Sequence, residues 1–279
     1  MENKNLNSQL FLCATPIGNL EDMTFRAVRI LKEVDFIAAE DTRHTRKLLS
    51  HFDIHTPLIR YDENNKNLIG EKIIQRIVAG ESCACVSDAG VPAISDPGAD
   101  LVKLAIAAGV KVSPIPGANA AISALICSGL DTSKFTFVGF LPKTSSRQRK
   151  VLADLKSLKN TLIFYESPHR LKATLQELMD SLGDRQAALA RELTKVYEEI
   201  QRGKLSELLA GIDQPRGEFV IIVEGASDEF CPETENLNLT EIFNNFINEG
   251  LDEKAAMRET AKKLNLSRRD VYKQLKIID

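Results

Sequence analysis

No part of the chain limits the fold more than the run Ser82-Cys-Ala-Cys-Val86 and the residues after it, Ser87-Asp-Ala-Gly-Val-Pro-Ala-Ile-Ser-Asp-Pro-Gly98. The short apolar run reads as a buried strand. From Ala99 to Ala108 the apolar residues recur three and four apart, which predicts a helix. Two glycines and two prolines between a strand and a helix make a rigid, irregular loop with exposed backbone N–H groups. Open α/β sheets bind small ligands in loops at the carboxyl ends of their strands. This loop is therefore expected to form half of a ligand cleft.

The same alternation precedes and follows it. Leu10–Ala14 is strand-like and leads through Thr15-Pro-Ile-Gly-Asn-Leu20 to a helix over Thr24 to Glu33. Asp35–Ala39 is a second strand, followed by Glu40-Asp-Thr-Arg43 and a helix to about His51. The Ser82–Val86 run is then the third strand. Val110–Ile115 is a fourth, ending at Pro116-Gly-Ala-Asn-Ala-Ala121 and a helix. Strands spaced by helices imply a mostly parallel sheet. A second α/β unit carries strands at Phe135–Phe140 and Thr161–Tyr165, separated by a basic helix, with more at Ala187–Ala190 and Phe219–Val223. The expected division is 1–133, 134–228, a linker at 229–238 and a C-terminal module at 239–279.

Composition narrows the function classes. Over 279 residues the apolar fraction is 43% and the charged fraction 27%, ordinary for a soluble globular chain. No apolar run approaches the roughly 20 residues of a membrane span. Met1–Gln9 has no apolar signal core, so a cytoplasmic location is expected. Five cysteines cannot all pair, and Cys13, Cys83, Cys85 and Cys127 sit in apolar patterns expected of reduced packing residues. The net charge of −3 hides a polarised tail. Ala226 to Glu253 holds eight acidic residues and no Lys or Arg; Lys254 to Lys276 holds eight Lys or Arg against Glu259 and Asp270, a local net of +6. That reversal marks a module boundary and a candidate polyanion-binding face. Two helices, Asp252–Leu264 and Arg268–Leu275, with Ser267 capping the second, fit a helix-turn-helix whose core would be Ala255, Ala261, Leu266, Val271 and Leu275.

Four unusual loops follow the strands of the first unit: Thr15–Gly18, Glu40–Arg43, Asp88–Pro92 and Pro116–Asn119. Parallel strands would bring all four to one sheet edge. Neither a Gly-x-Gly-x-x-Gly after the first strand nor a Gly-x-x-x-x-Gly-Lys-Ser/Thr occurs, so a pyrophosphate cradle is not indicated. Together with Phe164-Tyr-Glu-Ser-Pro-His-Arg170 and Arg191-Glu-Leu-Thr-Lys195, these motifs resemble the tetrapyrrole-methylase superfamily, closest to its branch that methylates small-subunit ribosomal RNA. The resemblance runs through the first 225 residues, and the basic tail is similar to that branch's C-terminal helix-turn-helix. It implies an α/β, two-domain tetrapyrrole-methylase-like fold with a mostly parallel N-terminal sheet, plus a small all-α helix-turn-helix. It implies S-adenosylmethionine held between the two domains of a homodimer. The reaction implied is methylation of the 2′-hydroxyl of a cytidine ribose in the decoding region of small-subunit rRNA, with the assembled or nearly assembled small subunit as partner. Carried onto this chain, the donor contacts would be Pro16, Gly90, Val91, Ser95, Asn119 and Ala120, with Tyr165, Leu193 and Thr194 from the second domain. Porphyrin-modifying relatives carry Gly-Asp-Pro where this chain has Gly90-Val91-Pro92, which weakens a tetrapyrrole substrate.

A sulfonium methyl is already activated, so alignment is the main task. A ribose hydroxyl still needs a base, typically worth roughly 10²- to 10⁴-fold. Asp41, Asp88 and Glu166 are the candidates. Each has a structural alternative: Asp41 pairing with Arg43 or capping a helix, Asp88 bracing its loop, Glu166 pairing with Arg170. His44, His51 and His55 invite a metal, but methyl transfer from a sulfonium needs none, and no metal site is expected. Lys143-Thr-Ser-Ser-Arg-Gln-Arg-Lys150 holds four cations in eight residues. Lys143, Arg147, Arg149 and Lys150, extended by Arg43, Arg46 and Lys47, are candidate phosphate contacts, with Arg268 and Arg269 as a second grip. The competing readings are a tetrapyrrole C-methyltransferase and a ligand-responsive DNA-binding regulator.

Overall fold

A computed structural model describes residues 8–227, 239–263, 271, 272 and 275. They fall into two compact units divided between Gly225 and Ala226.

The first unit contains two five-stranded sheets. One, ordered β3-β2-β4-β1-β5, is parallel throughout: β1 (Gln9–Cys13), β2 (Phe36–Ala39), β3 (Leu58–Arg60), β4 (Cys83–Val86) and β5 (Lys111–Ile115). The central strands are apolar at nearly every position because helices cover both faces. Phe11, Ile37, Ala84 and Val86 face α1 (Phe25–Glu33), whose Ala27, Ile30 and Leu31 recur at helical spacing. Phe36, Ala38, Cys83 and Cys85 face α3 (Lys66–Val78) and α4 (Ala99–Ala107) through Ile73, Ile77 and Leu101. Thr24 and Asp41 cap α1 and α2 (Thr42–His51), each accepting a backbone N–H with its side chain.

The second sheet is ordered β6-β7-β10-β8-β9 and is mixed. Only β6 (Phe135–Phe140) and β7 (Thr161–Glu166) are parallel; β10 (Phe219–Val223), β8 (Gln186–Arg191) and β9 (Glu199–Lys204) pair antiparallel. One face packs on α7 (Leu171–Leu182) and α8 (Leu205–Gly211), around Phe164, Leu175, Leu178 and Ile221. The other face receives α5 (Ala120–Ser128), which follows β5 of the first sheet but buries Ala121, Ala124 and Leu125 against Ile163, Ala190 and Val220 of the second. Through α5, one element in sequence couples the two halves.

Several expectations need correction. β3 and α3 lie between the expected second and third strands, so the loop-bearing strand is the fourth of the sheet. β3 is three residues long and only half-buried, too short for a hydrophobic pattern. β9 likewise leaves no apolar signal, because Glu199-Ile-Gln-Arg-Gly-Lys204 is a polar edge strand. Cys13, Cys83 and Cys85 are buried, but Cys127 is exposed and stands outside the packed core.

In the second unit, α9 (Leu239–Asn248) precedes α10 (Glu253–Lys263). Ala256, rather than Ala255, is fully buried in α10, beside Thr260. Ala261 and Val271 pack with Met257 and Leu275. Most of the expected second helix, with Ser267, Arg268 and Arg269, lies outside the described residues.

Candidate active site

The loops after β1, β2, β4 and β5 emerge at one edge of the parallel sheet. Two of them are joined directly: Thr15 donates its N–H to the Gly90 carbonyl at 2.8 Å, and Gly90 returns the bond at 3.1 Å. Gly90 holds this bridge with φ of 76°, and a Cβ there would lie 3.3 Å from the Ile17 side chain. A side chain there would be strained by the left-handed backbone and would press against Ile17.

The second half closes over this edge at two points. Gly139, with φ of 72°, sits at a bulge in β6 where a Cβ would come 3.2 Å from the Ser95 hydroxyl. The Tyr165 hydroxyl accepts the Ala121 N–H at 3.2 Å, satisfying one of the orphan donors at the start of α5. Asn119 caps the same helix, its side chain accepting the Ile122 N–H at 3.0 Å.

Between the halves lies a cavity of about 340 Å³. Its first wall holds Ile17, Gly90, Val91, Ser95 and Asp96 from the loops and Asn119 and Ala120 from the start of α5. Its second wall holds Phe140, Tyr165, Glu166, Leu193 and residues 218–220. The Tyr165 ring packs edge-on against Phe137 and Phe140, and burial pushes its phenol pKa up. Backbone strain gathers at the same place. Of the six described non-glycine residues with left-handed φ, four lie in the two bounding loops: Ala93 (72°), Ser95 (62°), Glu192 (49°) and Thr194 (67°). Such residues cost about 1–3 kcal/mol each and collect at ligand clamps.

Of the expected donor contacts, Gly90, Val91, Ser95, Asn119, Ala120, Tyr165 and Leu193 line the cavity. Pro16 and Thr194 are not part of its wall. Pro16 is buried, and Thr194 follows Leu193 with its hydroxyl buried and lacking a partner among the described residues.

The three candidate bases have different surroundings. Asp41 caps α2, accepting the Arg43 N–H at 2.8 Å, and its carboxylate is gripped by the Arg43 guanidinium at 2.8 and 3.1 Å. Those bonds hold its pKa well below the usual carboxylate range. Asp88 accepts the Asp41 N–H at 3.1 Å and ties two loops together. Neither lines the cavity. Glu166 does, but it is 2% exposed and both oxygens are engaged. Ser167 donates its N–H at 2.8 Å to one, Thr174 its hydroxyl at 2.6 Å to the other, and Arg170 stands 3.6 Å away. All three carboxylates thus make the structural contacts considered as alternatives.

Sequence reasoning missed Asp96. It lies within the Ser87–Gly98 loop, lines the cavity and is half-buried. Burial, opposed by the Ser87 hydroxyl and assisted by Asp88, pushes its pKa up to about 6. Lys143, Arg147, Arg149 and Lys150 are exposed on and just before α6 (Ser145–Leu155), which begins five residues after the cavity residue Phe140. Arg170 fastens the connecting turn by donating to the Leu141 and Pro142 carbonyls at 3.2 and 3.3 Å. Lys47 is exposed on α2, as is Arg43 despite its pairing with Asp41.

The family model described as Tetrapyrrole (Corrin/Porphyrin) Methylases matches residues 9–209. A Halalkalibacterium halodurans protein named Ribosomal RNA small subunit methyltransferase I is 51% identical over 268 residues, covering 94% of this chain and 93% of its own length. The Bacillus subtilis protein of the same name is 49% identical over 269 residues, covering 94% and 92%. Among solved structures, a diphthine synthase superposes with a TM-score of 0.58 at 15% identity, over 78% of this chain and 90% of its own. A uroporphyrin-III-C-methyltransferase from Thermus thermophilus gives 0.55 at 18%, over 77% and 94%. These two share the fold. The matched length, the 51% relative and the two-sheet architecture together establish that the chain belongs to the tetrapyrrole (corrin/porphyrin) methylase family.

Proposed function

We propose that this protein transfers a methyl group from S-adenosylmethionine to the 2′-hydroxyl of a cytidine ribose in the decoding region of small-subunit rRNA, acting in the cytoplasm on the assembled or nearly assembled subunit. The observation that carries the reading is the likeness over nearly the whole chain to relatives named for small-subunit rRNA methylation. The cavity supports it. At about 340 Å³ it falls within the roughly 300–1,000 Å³ of small-molecule sites. Its wall is mostly apolar with a few polar groups. In this reading Gly90, Val91, Ser95, Asn119, Ala120, Tyr165 and Leu193 hold the donor, with Pro16 and Thr194 supporting their loops. Residues 1–133 and 134–228 act as the two domains that enclose it.

The donor supplies an activated methyl group; the protein supplies alignment and exclusion of water. The Thr15–Gly90 bridge fixes two loops of the first wall to each other, and the Tyr165–Ala121 hydrogen bond ties that wall to the second. Lys143, Arg147, Arg149 and Lys150, with Arg43 and Lys47, would grip rRNA phosphates, and Arg268 and Arg269 would add a second contact. A homodimer completes the proposal, with Ile122 and Ile126, both exposed on α5, as its apolar contact.

Labelled methyl donor offered with purified small subunits, naked DNA and a porphyrinogen tests the proposal. Label recovered in a ribose-methylated cytidine of the small-subunit rRNA is expected. Label in the porphyrinogen alone, or no transfer to folded subunits, refutes it.

A further inference from the structure

Methylating a hydroxyl oxygen forms one C–O bond and breaks the donor's C–S bond, with that electron pair staying on sulfur. One proton is released and must be taken up. Three carboxylates line the cavity, and two are already committed. Glu166 has both oxygens in hydrogen bonds to Ser167 and Thr174. Glu218 is held by Lys195 Nζ at 2.8 Å and is mostly exposed. Asp96 has no ion pair among the described residues. Around it stand the Ser87 hydroxyl, Asp88 on the same loop, Glu40 at the end of β2 and Tyr165 from β7. The two residues Ala93 and Ser95 that lead into it are held in left-handed backbone.

We propose that Asp96 is the base that accepts the ribose hydroxyl proton, and that the strained Ala93–Ser95 turn fixes its carboxylate in the cavity wall. The assignment rests on the methyl-transfer reading above and adds the group that reading lacks. Its acidity suits the task, since a carboxyl titrating at about 6 is ionised at neutral pH yet more basic than an ordinary aspartate. Tyr165 orients the site and takes no proton, because burial raises its phenol further from neutrality.

The test is single-turnover methylation of small subunits between pH 5 and 8 by the native chain, Asp96→Asn and Asp96→Glu, with donor binding followed by calorimetry and subunit binding by filtration. The native rate is expected to rise with one ionisation near pH 6. Asp96→Asn should lose roughly 10²- to 10⁴-fold in rate and the ionisation with it, while binding both ligands as the native chain does. Asp96→Glu should regain part of the rate with a shifted pH profile. Infrared difference spectra of the free protein should show a carboxyl titrating near pH 6 that is missing in Asp96→Asn. An Asp96→Asn variant within tenfold of the native rate, with the same pH profile, overturns the assignment of the base and leaves the methyl-transfer reading standing. A native chain that binds the donor but transfers nothing to subunits overturns both.

Discussion

Replacing Asp96 with Asn should make the protein more stable, and only at a pH where the aspartate is ionised. The folded state raises this carboxyl from 3.8 to about 6. Below the lower value both folded and unfolded chains hold the proton, and the cost of the site is absent. Between the two values the unfolded chain has lost a proton that the folded chain keeps, so stability falls as pH rises. Above 6 both are ionised and the folded chain bears the full cost. Two units at about 1.4 kcal/mol each set a ceiling near 3 kcal/mol. Water reaches this half-buried side chain, so screening reduces the expected figure to about 1–2 kcal/mol. Asn mimics the neutral acid and also relieves Glu40, whose pKa is raised first by its own burial and then by Asp96. Urea unfolding of both chains should therefore show a gain of about 1–2 kcal/mol at pH 7.5, shrinking to about a third of that at pH 4.5. An equal effect at both pH values, or a loss of stability at pH 7.5, would refute the reasoning.

Other outcomes follow from the same structure. Neutralising Lys143, Arg147, Arg149 and Lys150 together should weaken binding to small subunits and flatten its salt dependence by about 0.7 in log–log slope for each phosphate left without its cation. Calorimetric donor binding should stay unchanged, and an unaltered salt slope would place the RNA elsewhere. Gly90→Val would put a β-branched side chain into left-handed backbone against Ile17, and donor binding should fall at least tenfold by calorimetry while the chain stays folded by circular dichroism. Arg185 is buried and donates to the carbonyls of Leu182, Glu224 and Lys156. Arg185→Met should cost about 3 kcal/mol in denaturant unfolding, because those carbonyls would be left without a charged donor. Phe164→Ala, at a fully buried position of β7, should cost about 3–5 kcal/mol by the same measurement.

Local pattern carried much of this architecture. Leu10–Cys13, Phe36–Ala39 and Cys83–Val86 are apolar because helices cover both faces of a parallel sheet, and that signal is readable without coordinates. The Gly- and Pro-bearing loops also declare themselves, since few residue types tolerate their backbone. β3 and β9 escaped because a three-residue strand and a polar edge strand bury too little to leave a periodic trace. The α5 helix showed its apolar character in sequence but not its allegiance. It packs on the second sheet, a choice made by contacts across the fold. Charge followed the same division. Asp41, Asp88, Asp96 and Glu166 are equivalent as letters in a sequence. Their freedom to react depends on whether their oxygens meet Arg43, Thr174 or only the Ser87 hydroxyl, and on how much water reaches them. Sequence set the order of strands, loops and helices through short-range patterning. Long-range packing distributed burial and hydrogen bonds among the four carboxylates, and with them the chemistry.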